Sequence, residues 1–246
     1  MGFKLIDINC DVGEGVGNEE QLLPLISSCN IACGGHAGDE KIIRNTIGLA
    51  ISNGVKIGAH PSYPDKENFG RKVLDISSKD LVESIKNQMN LFSSLLQKER
   101  GSLHHIKAHG ALYNQIAKDD ILAGVFLQAI DSYKSNCRLY VPFNSKVAKL
   151  AKKLNFTIVY EAFGDRNYNA DLSLVSRTNE NALIQEPKLV LEHIKRMVIK
   201  GVVRTVGGVD KPIISETYCI HGDTPSAFKI LTYLQRELPN YKLKIA

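Results

Sequence analysis

Seven histidines are spread along 246 residues, and four of them stand directly after short apolar runs: His36 in "GHAG", His60 in "AHPS", His109 in "AHGA" and His221 in "IHGD". Carboxylates keep them company. Asp11 and Glu14 follow the first apolar run, Asp39 the second, Glu161 and Asp165 a later one, and Asp223 the last. Buried carboxyl groups beside imidazoles are the equipment of proton transfer, because burial raises one pKa and neighbouring charge lowers another, giving an acid and a base. Such a cluster suits hydrolytic acid–base work with or without a divalent ion. Lys107, two residues before His109, and Arg71, Arg166 and Arg177 in polar stretches are cations able to hold a carboxylate or phosphate. Internal salt bridging is the competing role for each of them.

These groups need elements to bring them together. "FKLIDINC", "CNIACG", "VKIGAH", "HHIKAH", "RLYVPF", "FTIVYEAF", "VVRTV" and "ETYCIHG" are short, apolar or β-branched, and bounded by Gly, Pro, Asn or Asp, so they read as strands. Helical periods lie between them. In "GDEKIIRNTIGLAISNG" Ile42, Ile43, Ile47, Ala50 and Ile51 make one stripe, and "SSKDLVESIKNQMNLFSSLLQKER" begins at Ser77 or Ser78 as N-cap. "SKVAKLAKKL", "EPKLVLEHIKRMVIKG" and "TPSAFKILTYLQREL" continue the alternation, with no composition break, so residues 1–246 read as one parallel β/α domain, a barrel or a doubly wound sheet. Reactive residues close nearly every strand, which favours a barrel, where all strand ends share one mouth. Along the first strand Asp7, Asn9 and Asp11 share a face opposite Ile6, Ile8 and Cys10; that polar face points into a barrel or, alternatively, belongs to a solvated edge strand.

Other classes fall away. The formal charge of +5 is dispersed rather than gathered into a basic block, which argues against nucleic acid. Gln21 to Gly38, the longest uncharged run, contains Pro24, Asn30 and three glycines, poor content for a membrane span. Lys4 and Asp7 come too early for a signal-peptide core, so a cytoplasmic protein is expected. The five cysteines lack C-x-x-C spacing and read as small apolar residues. "GVGNEE" and "GGHAGD" lack the Gly-Lys-Ser/Thr ending of a phosphate loop, and no G-x-S-x-G elbow or H-E-x-x-H helix is present.

Taken together, "IDINCDVGEG", "NIACGGHAGD", "GAHPSYPD…NFGRK", "KAHGALYN", "FGDRNY" and "CIHGD" resemble the LamB/YcsF family of 5-oxoprolinase A subunits, in order and over nearly the whole chain. The resemblance implies a distorted, seven-stranded TIM-like barrel of the glycoside hydrolase/deacetylase type. It also implies action with partner subunits B and C in ATP-dependent (Mg2+) opening of 5-oxoproline to L-glutamate. On that reading Asp11 or Glu14 is the base, and His36, His60 and His109 pass protons or hold a metal. Lys107, Arg71 and Arg166 hold anionic groups, while Asp7, Asn9, Asp39, Asn114, Glu161, Asp165, Arg177, His221 and Asp223 complete the substrate site. A metal-dependent deacetylase or amidohydrolase on the same barrel, for which Asp11, His36 and His60 would be a two-histidine, one-carboxylate metal set, and a non-catalytic partner of B and C, are the alternatives; self-association of the chain stays open. Gly35 stands where the family commonly has Phe, Ala108 where it has Pro, and Leu172 and Ser176 where it has Gly and Pro, so an altered pocket wall is expected, above all at Gly35.

Overall fold

In the computed structural model, which describes residues 2–246, the polar alternation of the first strand is resolved inward. β1 (Lys4–Val12), β2 (Ser28–Ala32), β3 (Lys56–His60), β4 (Leu103–Ile106), β5 (Arg138–Pro142) and β6 (Thr157–Phe163) pair in sequence order, all parallel. β7 (Val202–Arg204) and β8 (Asp210–Pro212) leave the sheet as a separate antiparallel pair, and β9 (Thr217–Cys219) closes the ring by lying between β6 and β1. The result is a seven-stranded barrel. "VVRTV" is thus a strand as expected but not a barrel stave: it answers to "DKP", which has no strand period of its own. A last strand, β10 (Leu243–Ile245), pairs only with Lys4, Leu5 and Ile6 at the foot of β1.

Ile6, Ile8 and Cys10 of β1, Cys29 and Ile31 of β2 and Ile57 and Ala59 of β3 are buried on the outer face, which is covered by helices. These are α2 (Glu40–Ser52), α3 (Ser78–Lys98), α4 (Gly110–Ile116), α5 (Asp120–Ala129), α6 (Lys146–Lys153), α7 (Pro187–Lys200) and α8 (Ala227–Glu237), after a single turn, α1 (Glu19–Leu22). Ser77, Asp119 and Ser145 cap α3, α5 and α6 through their side-chain oxygens. Asp39 does the same for α2, accepting from the Ile42 N–H at 2.8 Å, so its expected place at the substrate is corrected to a helix cap. Among the described residues no helix is long and apolar enough to cross a membrane.

The barrel interior is polar from floor to mouth, where such barrels usually carry branched apolar layers. Each group therefore needs a partner. On the floor Asp7 accepts from Ser28 Oγ and Thr217 Oγ1, both at 2.7 Å, and pairs with Lys56 at 3.1 Å. Above it, Asn30 Nδ2 donates to Asn9 Oδ1 at 2.7 Å, while Asn30 Oδ1 faces His105 Nε2 at 2.7 Å. The His105 ring stacks on Tyr140 with centroids 3.8 Å apart and fills the space beside Gly58, where a Cβ would collide with His105 Nε2. Since His105 is held on two sides, Gly58→Ala should cost about 1–3 kcal/mol, seen as a lower urea midpoint with an unchanged m-value. Native stability in that variant would contradict a fixed His105.

Candidate functional site

Asp7 at the floor and Asn9 in the middle are structural, which corrects their expected contact with substrate. The third member of the alternation, Asp11, reaches the mouth. It lines a cavity of about 430 Å³ together with His60, Lys107, His109, Asn114 and His221, walled by Tyr113 and Phe163 and rimmed by Arg71, Lys118, Arg166 and Arg177. Ser173, Ser176 and Thr178 add hydroxyls to the rim.

Lys107 is the centre of the inner end. Its ammonium lies 3.0 Å from Asp11 Oδ1 and 2.8 Å from Glu161 Oε1, with Asn9 Oδ1 at 3.4 Å and Cys219 Sγ at 3.2 Å. Burial opposes the charge, but Asp11, Cys219 and Glu161 outweigh it and hold the Lys107 pKa well above the usual lysine range. Burial also works against the Asp11 carboxylate, and Lys107 and His60 overcome it, holding Asp11 well below the usual range. Glu161 is spent on Lys107 and Asn9, and does not line this cavity.

Glu14 and His36 are displaced from their expected places. His36 stacks on His109 with centroids 3.6 Å apart, and its Nε2 lies 3.0 Å from Glu14 Oε1, so both stand behind His109 and off the cavity wall. Burial, then Asp11 and Asp223, drives the Glu14 pKa well above the carboxylate range, whereas burial and His60 push His36 down to about 2. Two carboxyls separated by two residues are thus driven apart, Asp11 downward and Glu14 upward. Asp165 likewise sits behind the wall, accepting from the His221 N–H at 2.9 Å and lying 2.9 Å from its Nδ1, so it orients His221 rather than touching substrate.

At the rim Asp223 pairs with Arg71 and with Arg177, the latter at 3.5 Å; it positions the two guanidiniums and is not itself a wall residue. Arg166 lines the cavity but donates to the carbonyls of Val175 at 2.5 Å and Ala182 at 3.3 Å, fastening the long segment after β6. Burial and the nearby Arg177 lower its pKa to about 10. Asn114 stands on the wall, with its Nδ2 donating to Gly110 O at 3.1 Å. Tyr113 and Lys118 were not foreseen; helix α4 had no strong apolar period to announce it, although Tyr113 lies within "KAHGALYN". The cysteines take no part as nucleophiles, since burial raises Cys29 and Cys33 to about 12 and Cys219 well above the usual thiol value.

Donors for a metal converge around Asp11, Glu14, His60 and His109, whose ligand atoms all lie within 4.8 Å of one another. His36 is not of this group, which corrects the expected set. Two imidazoles and two carboxyls fit a divalent ion by type, and each ring's other nitrogen faces a backbone carbonyl, His60 Nδ1 toward Lys107 O at 2.8 Å and His109 Nε2 toward Phe69 O at 3.0 Å.

Gly35 does not open the pocket. A Cβ there would collide with Gln88 Oε1 and come within 2.5 Å of Ser62 Oγ, because Gln88 of α3 occupies the space. Gln88 accepts from the Ser62 N–H at 3.0 Å and donates to Ser62 O at 2.9 Å.

A parallel barrel with buried carboxyls and histidines at the carboxyl ends of its strands and a cationic rim defines a β/α-barrel protein whose polar pocket opens at the barrel mouth. The LamB/YcsF family profile matches residues 6–246, and the chain belongs to that family. It is 40% identical over 248 residues to the 5-oxoprolinase A subunit of Shouchella clausii, covering 99% of this chain and 98% of the relative. The protein of the same name from Haemophilus influenzae (strain PittEE) is 37% identical over 243 residues, with 99% of each covered. The crystal structure of the lactam utilization protein from Thermus thermophilus superposes with a TM-score of 0.91 at 30% identity, over 98% of this chain and 99% of that one.

Two substitutions test this packing. Lys107→Met leaves the buried Asp11 and Glu161 without their counter-charge and should cost about 3–5 kcal/mol in denaturant unfolding, part of which Glu161→Gln in the same chain restores. Gly35→Phe should destabilise by about 1–3 kcal/mol or more through Gln88, and adding Gln88→Ala should recover stability; strict additivity of the two would refute the shared space.

Proposed function

We propose that the chain is the A subunit of a 5-oxoprolinase, working with B and C subunits to open the five-membered lactam of 5-oxoproline to L-glutamate at the expense of ATP. The observation that carries this reading is the end-to-end likeness to proteins of that name. The pocket supports it by its charge: the rim suits the carboxylate and any phosphoryl group of the substrate, and Asp11 suits a water to be activated.

A lactam resists water, so phosphorylation of its amide oxygen by ATP, releasing ADP and the proton of the ring nitrogen, first gives a C=N bond and a phosphoryl leaving group. Water then adds to the ring carbon, with Asp11 taking a proton. The C–N bond breaks with its electron pair passing to nitrogen, which receives both protons of that water, and an acyl phosphate is left. A second water releases phosphate and the new carboxylate. Lys107 keeps Asp11 ionised, and His60 and His109, beside it in the wall, move protons toward the leaving nitrogen. Arg71, Lys118 and Arg177 hold the anionic groups.

The four-donor cluster favours a second reading, a metal-dependent amidohydrolase or deacetylase. Asp11, Glu14, His60 and His109 would hold the ion, which would polarise the carbonyl or its water. The two readings part in one experiment: the chain is combined with B and C subunits, 5-oxoproline and ATP, and glutamate is measured with each component omitted in turn. Glutamate should require all three subunits and ATP, and Asp11→Asn, with a native-like melt, should lower it about 10²–10⁴-fold. Undiminished turnover in Asp11→Asn, or turnover without ATP, would overturn the reading.

A further inference from the structure

The hydrogen bonds of two histidines fix where their protons are. A backbone carbonyl has no proton to give, so His60 Nδ1, 2.8 Å from Lys107 O, carries its hydrogen, and so does His109 Nε2, 3.0 Å from Phe69 O. In neutral rings that leaves His60 Nε2 and His109 Nδ1 as bare lone pairs, and they face each other at 3.0 Å. Carboxylate oxygens stand on the same spot, Asp11 Oδ1 at 3.5 Å from His60 Nε2 and Glu14 Oε1 at 3.4 Å from His109 Nδ1. Asp11 Oδ1 also accepts from Lys107 at 3.0 Å and from Asn30 Nδ2 at 2.8 Å, so the unrelieved contact is the one between the two ring lone pairs, each ring anchored from behind by a carbonyl, and a cation between them relieves it.

We infer that Asp11, Glu14, His60 and His109 form a binding site for one first-row divalent cation of the zinc class. This deepens the metal-dependent reading of the pocket and rests on it; the site exists whether or not 5-oxoproline is the substrate, and with the ion bound the lone pairs of Asp11, His60 and His109 serve it rather than passing protons. Charge sets the valence. Lys107 is nearer to Glu161, at 2.8 Å, than to Asp11, at 3.0 Å; with that pair matched, Asp11 and the Glu14 carboxyl, once the ion takes the place of any proton on it, balance two positive charges. The paired imidazoles select the class, since calcium and magnesium prefer sites made of oxygen alone. His36 is a positioning residue for this site: with its Nε2 3.0 Å from Glu14 Oε1 and its ring stacked on His109, it holds one carboxylate and one imidazole at once. A second group, Asp11, Cys219 and His221, also converges, but it holds a single imidazole and so no pair of facing ring lone pairs.

The test uses the purified full-length chain stripped with chelator and titrated with Co²⁺ or Zn²⁺ alone. One ion per chain is expected, with visible Co²⁺ bands of nitrogen and oxygen ligation. His60→Ala and His109→Ala should each weaken binding at least tenfold, a loss of one good ligand, whereas His221→Ala should keep both stoichiometry and spectrum. Because a ligand variant can misfold, the wild-type chain supplies the second measurement: on Zn²⁺ addition the ¹⁵N resonances of His60 Nε2 and His109 Nδ1 should shift while His104 and His193 stay in place, and the melting temperature should rise with Zn²⁺ concentration. No uptake, unmoved His60 and His109 nitrogens, binding lost in His221→Ala instead, or a far-downfield proton shared by the two rings without metal would each overturn the site. Failure of the reconstituted complex to make glutamate would count against the proposed reaction and leave these readouts standing.

Discussion

The ammonium of Lys107 is the contact on which the rest of the centre depends. An inward Asp11 at 6% exposure and a Glu161 at 2% cannot both stay charged in a protein interior without a cation between them, and Lys107 fills that place from β4's end. Its two ion pairs also span the barrel, joining the strand ends of β1, β4 and β6, which are far apart in sequence. The floor and middle layers serve the same purpose. Asp7, Ser28, Thr217, Asn9, Asn30 and His105 bond one another, so the floor and middle layers are internally paired and the mouth rests on a rigid base.

From that base the two carboxyls of the mouth diverge. Asp11 faces Lys107, which helps hold its pKa well below the usual range; Glu14, a little further along a glycine-bearing turn, is placed behind His109 among buried rings, where burial and the neighbouring carboxylates push its pKa well above that range. Distance from one ammonium sorts them. The histidines follow the same logic, for burial holds His36 and His109 neutral and thereby leaves them as donors of lone pairs rather than as charges.

Much of this was legible in the chain. The alternation of Asp7, Asn9 and Asp11 and the histidines closing successive strands pointed to a barrel mouth, because in a parallel barrel the period of two and the strand direction fix both face and end. Which polar residue lies at which depth was not legible, since depth depends on register between strands: the pairing of Asp7 with Thr217 and of Asp11 with Asn30 puts the first on the floor and the second at the mouth. Nor could the sequence separate "VVRTV" from "TYC" as the closing stave, both being short and apolar, with the choice made by the hairpin partner "DKP". Residues read as substrate contacts, Asp165 and Asp223, proved to hold contact residues instead, a distinction that spacing alone does not carry.

The departures from the family pattern show how a pocket wall keeps its shape when a residue changes. Gly35 removes an aromatic side chain, yet Gln88 on a different element fills the gap and bonds both backbone groups of Ser62, two residues from His60. Leu172 sits at φ 67°, in the left-handed region where the family's Gly would rest without strain, and keeps that turn while packing its side chain against the core. The segment around it is pinned independently: Arg166 to Val175 and Ala182, Tyr168 Oη by the Phe163 N–H at 2.7 Å. Such pins let the local sequence vary while Ser173, Ser176, Arg177 and Thr178 keep their places on the rim. The inner end, on strands and locked by charge, and the rim, on a loop locked to the barrel by buried hydrogen bonds, are therefore separately stabilised halves of one cavity, and only the second has room to change its ligand contacts without unseating the carboxylate and histidines beneath.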